Sequence, residues 1–146
     1  MGEGKMEEWK KGKGRWSPDF SDLTSMKWAN YIFIVLFLLS AALQYNDPDP
    51  YIWIPIYCWG AWLCWLALKQ KFPPVLYLLS ALFYIGYATW LFIAPDGVIS
   101  WMQEHDAESL VQSMKATKPW IEQSREFGGL LILLVSLALN WFISRK

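Results

Sequence analysis

Trp28 to Gln44 read W-A-N-Y-I-F-I-V-L-F-L-L-S-A-A-L-Q, without one Lys, Arg, Asp, Glu or His. A helix needs ~20 mostly apolar residues to cross a bilayer, with a working range of about 17–25. Three further stretches qualify: Tyr51–Leu68, Pro73–Ala94 and Phe127–Ser144. All three lack the same five residue types. One such stretch fits a buried helix of a soluble domain. Four in 146 residues, with almost no amphipathic helix to cover them, predict an all-α integral membrane protein. Backbone groups in hydrocarbon must be satisfied within the segment, which helices achieve. Barrel strands would alternate apolar and polar residues, and these stretches do not. The expectation is a four-transmembrane-helix bundle over 28–146, with spans at about 28–44, 51–68, 73–94 and 127–144. A polar cytoplasmic arm precedes it over 1–27.

Composition agrees. Hydrophobic residues make up 55%, aromatic 18% and charged 18%, against about 25% charged in a soluble domain. Lys plus Arg (13) balances Asp plus Glu (13), so no basic field exists to attract phosphates and nucleic acid is excluded as a partner. The expected partners are the lipid bilayer and other membrane proteins. Cys58 and Cys64 are separated by ~9 Å of helical rise, too far for a disulfide. With a single His and no C-x-x-C, no haem or zinc site and no cofactor are expected. His105, within E-H-D, reads as a solvated side chain. The N-terminus lacks a cleaved-signal pattern, so the first span is expected to act as a signal-anchor. Met6 stands where an acylation start needs Ser or Thr.

Orientation follows from Lys and Arg near the span ends. Ten lie on one side: Lys5, Lys10, Lys11, Lys13, Arg15, Lys27, Lys69, Lys71, Arg145 and Lys146. Three lie on the other: Lys115, Lys118 and Arg125. Both termini are therefore expected in the cytoplasm, with 44–50 and 95–126 outside. Trp28, Trp65 and Trp141 would form the inner aromatic belt. Trp53, Trp90, Trp101 and Trp120 would form the outer one.

The outer connections carry the polar chemistry. Gln44 to Pro50 read Q-Y-N-D-P-D-P. Each Pro pushes the residue before it out of the α region, so Asp47 and Asp49 end the first helix. Asp49 and Pro50 then read as start signals for the second. In the long loop two short interfacial helices are expected, the second starting at Ala107 under an Asp106 cap. Pro119 restarts the chain as one helix to Ser144, ~39 Å long, so its first two turns project beyond a hydrocarbon core of about 30 Å. Those turns carry Glu122, Arg125 and Glu126. Glu122 and Arg125 have the i,i+3 spacing of an ion pair. Topology brings Asn46, Asp47, Asp49, Glu122, Arg125 and Glu126 to one face, where Arg125 is expected to bridge to Asp47 or Asp49. Gly128 and Gly129 are expected to let a neighbouring helix approach, and Asn140 to face another helix.

The Q-x-N-D-P-D run after the first span, W-x-x-x-Y after it, and R-E-x-x-G-L opening the last span resemble the transmembrane protein 220 family. The matching residues are Gln44, Asn46, Asp47, Pro48, Asp49, Trp53, Tyr57, Arg125, Glu126, Gly129 and Leu130. The resemblance implies a small four-span membrane protein and no particular activity. Three classes of function remain. The first is a non-enzymatic accessory, assembly or scaffold protein, which the lack of a catalytic or metal-binding motif favours. The others are a small transporter or lipid-binding bundle, and a metal-assisted enzyme at the outer interface.

Overall fold

A computed structural model describes residues 20–110 and 118–145. Five helices follow in order: α1 (Phe20–Leu43), α2 (Pro50–Leu68), α3 (Pro74–Ile93), α4 (Val98–Gln103) and α5 (Pro119–Ser144). Four of them are long and apolar enough to cross a membrane, and α4 is a short turn between α3 and α5. The protein is an all-α integral membrane protein.

Residues 1–19 of the expected polar arm lie outside the described residues, and from Phe20 the chain is already helical. No Pro or Gly stands between Pro18 and Pro48, so nothing interrupts α1 before its end. There a 3-10 turn, Gln44–Asn46, tightens the chain into extended Asp47. Proline at the first helical position starts α2, α3 and α5, where its missing N–H costs nothing. The second loop helix does not start at Ala107. Asp106 and Ala107 hold φ of 51° and 48°, a left-handed conformation that cannot propagate a right-handed helix. The rest of that expected helix, over 111–117, lies outside the described residues.

α1 packs along α2, while α5 packs against α2, α3 and α4. Lipid tails are as apolar as Leu, so packing and interhelical hydrogen bonds must hold such helices together. Both are present. Phe37, Leu63, Leu91, Leu130 and Leu133 are fully buried. At Gly60 a Cβ would collide with Leu133, so the missing side chain lets α2 and α5 close up. Asn30 of α1 and Asn140 of α5 exchange two amide hydrogen bonds, each 2.9 Å, deep in the bundle. Between α2 and α3, the Trp59 indole donates to Ser80 Oγ at 2.8 Å.

The outward faces are apolar along most of their length, with Ile32, Val35 and Leu39 on α1 and Val75, Leu79 and Leu82 on α3 exposed. Such a surface fits lipid and not water. Trp28, Trp65 and Trp90 are about half exposed or more, as belt residues require. Trp53 departs from the belt expectation: it is 0% exposed.

Candidate functional site

The site is built at the end of the bundle that carries the α1–α2 and α3–α5 connections. Asp47 caps the 3-10 turn in extended conformation, its N–H donating to the Gln44 carbonyl at 3.0 Å. Asn46 is exposed at the rim. Asp49 occupies the N-cap position of α2, yet its side chain makes no capping hydrogen bond. The carboxylate is turned instead toward the first turns of α5. One of its oxygens, Oδ1, is buried without a hydrogen-bond partner.

On α5, Glu122 and Glu126 are four residues apart and share a face. One carboxylate oxygen from each of Asp49, Glu122 and Glu126 lies within 4.8 Å of the others. All three residues are half-buried. Two full charges 4 Å apart repel by about 4 kcal/mol at an effective dielectric near 20. A trio this close therefore retains a proton or takes up a cation. Glu122 and Glu126 precede the apolar segment that begins at Phe127. Burial first, then the Asp49 and Glu122 charges, pushes the Glu126 carboxyl up to about 8. Glu122 is also raised, by burial and then by Asp49 and Asp47.

Beneath the carboxylates lies Trp53. Its indole N–H faces the Glu126 carboxyl without closing a hydrogen bond of good geometry. Its ring stacks on Tyr87 at 5.5 Å and tilts against Tyr57 at 5.8 Å.

Arg125 does not join the three clustered carboxylates. Its Nε donates to the Leu110 main-chain carbonyl. With Ser124, Gly128, Gly129, Tyr57 and Phe37 it lines a separate cavity of about 360 Å³ toward α1. Glu122 and Asp49 form no ion pair with Arg125. The i,i+3 spacing would permit that pair, but the Leu110 carbonyl holds the Arg125 side chain on the side of α5 that lines this cavity. The two glycines also separate. A Cβ on Gly129 would strike the Tyr57 hydroxyl, whereas one on Gly128 would meet open space.

A second polar knot was not anticipated from the sequence. Glu108 accepts from Lys118 Nζ at 2.9 and 3.1 Å and from the Trp120 indole at 2.6 Å. Its backbone carbonyl accepts from the Trp101 indole at 2.8 Å. His105 stacks flat on Trp120 at 3.6 Å and is half-buried. Glu108 thus pins α4 and its loop to the start of α5. No periodicity could signal contacts spanning ten and twelve residues across a loop.

No curated protein and no solved structure matches the chain. The model of the family described as Transmembrane family 220, helix, matches residues 36–142, which take in both polar motifs, the second and third spans, nearly all of the fourth and the outer half of the first; the chain belongs to that family.

Proposed function

We propose that this protein is a non-enzymatic accessory component of a membrane, a four-helix frame that holds a polar capture site at one end. The observation that supports this reading is the convergence of Asp49 with Glu122 and Glu126 from two helix starts far apart in sequence. An Asp that forgoes its capping bond to join two glutamates is placed for a ligand better than for stability. By the distribution of Lys and Arg this end faces outside and both termini lie in the cytoplasm. The test is purification of the full chain in mild detergent, with native mass spectrometry of wild type and an Asp49→Asn/Glu126→Gln double variant. The wild type should retain a bound species that the double variant lacks. A monodisperse wild type that retains nothing, and that no polar ligand stabilises, overturns the proposal.

A further inference from the structure

Two features of the carboxylate cluster have no role in holding the bundle together. Asp49 Oδ1 is sealed from water and accepts no hydrogen bond. The Trp53 N–H, on a side chain that is 0% exposed, faces Glu126 and likewise lacks a partner of good geometry. Leaving such groups unsatisfied costs their full desolvation penalty. Both are satisfied if a cation draws the three carboxylates together. Asp49 Oδ1 gains a ligand bond. Glu126, pulled through one oxygen, is fixed so that the other can accept from Trp53. Carboxylates that bind metals are commonly oriented by such outer hydrogen bonds.

The character of the cation follows from the walls. Organic ammonium groups are recognised through the faces of aromatic rings. Trp53 offers no face here, because Tyr87 and Tyr57 take its ring and only its N–H edge reaches the cluster. The donor set is all oxygen, which suits a hard ion and not a thiophilic one. Oxygens within 4.8 Å of one another can be spanned by an ion that binds oxygen at about 2.3–2.6 Å.

We infer that Asp49, Glu122 and Glu126 form a site for one hard divalent cation of calcium type, each giving a carboxylate oxygen, with Trp53 Nε1–H positioning Glu126 from behind. This rests on the capture-site reading above and names its ligand. Calcium takes 6–8 oxygens, so three carboxylates leave coordination positions open toward solvent for water or for a phosphate oxygen.

The test uses the full chain in detergent, stripped with a chelator, and titrated with Ca²⁺ calorimetrically and with Tb³⁺ by tryptophan-sensitised luminescence. One saturable site per chain is expected. Asp49→Asn and Glu126→Gln should each weaken Ca²⁺ at least tenfold, and Glu104→Gln should leave it unchanged. Trp53→Phe should weaken Ca²⁺ by about tenfold, the usual cost of losing an outer hydrogen bond to a ligand, with a comparable loss of Tb³⁺ affinity. Absence of saturable binding in the wild type sinks the inference, whether or not the variants fold. So does wild-type affinity in Asp49→Asn. If the wild type takes no cation but retains an organic species that the double variant loses, the cation falls and the capture site stands. If it takes neither, both fall.

Discussion

At the scale of single residues, the Asn30–Asn140 pair is the clearest case of a polar group placed by its surroundings. An amide in hydrocarbon without a partner is costly, and each amide here satisfies the other. A double-mutant cycle with Asn30→Ala and Asn140→Ala should give a coupling of about 0.6–2 kcal/mol, the range for interhelical bonds in membranes. Denaturation in mixed micelles measures it. Additive losses would show that the two amides do not cooperate. Glu126 supplies a second prediction. Its folded carboxyl holds its proton up to about 8, above the unfolded value. The stability it confers is fully present below the unfolded pKa and is lost as pH rises through the folded one. The thermal midpoint of cation-free protein should fall from about pH 5 to above pH 8, and Glu126→Gln should flatten that slope. Asn140 was legible as a packing residue because a lone amide at depth demands a partner. Which residue answers it was not, since Asn30 sits outside any motif. The acidic residues were legible as a set. Their division into Asp49, Glu122 and Glu126 on one side and Arg125 on another depends on which helix each face meets, and one helix wheel does not contain that information.

Elements are held by small, local choices at their ends and crossings. Gly129 lies under the Tyr57 hydroxyl and Gly128 under nothing, although the two are neighbours. Gly129→Ala should therefore cost about 1–3 kcal/mol through overpacking, and Tyr57→Phe in the same chain should recover part of it. Gly128→Ala should stay within about 0.5 kcal/mol. Unfolding midpoints of the four proteins in one detergent decide the matter, and equal losses at the two glycines would refute the asymmetry. In the α4 loop, Glu108→Gln removes a charge from Lys118 while leaving an acceptor for Trp120. Limited proteolysis between Gln103 and Lys118 should quicken while the bundle stays intact. The starts of α2 and α5 could be read in advance because Pro at the first helical position has one physical meaning. The loop could not, because Glu108 acts through partners that only the folded chain brings near.

The whole molecule was the most legible level, since four uncharged stretches of membrane length admit few arrangements. Its orientation is open to a direct test. Single cysteines at Ser17 and Ser113, in a Cys58→Ser/Cys64→Ser background, should differ toward an impermeant reagent on intact cells. Position 113 should react and position 17 should stay protected; the reverse pattern would turn the protein over. The order of packing was not legible: α5, the last of the described helices, touches α2, α3 and α4 and reaches α1 through Asn140. That arrangement sets a condition on biogenesis. While ribosomes are still adding α5, the earlier spans already sit in the bilayer with Asn30 unanswered, the Gly60 cleft unfilled and Asp49 without its glutamates. These contacts stay unmade until α5 arrives, and every message truncated before Pro119 encodes a product that displays these defects to the quality-control proteases of its membrane. Pulse-chase labelling of a chain stopped at Lys118 should show a half-life several-fold shorter than that of the full chain.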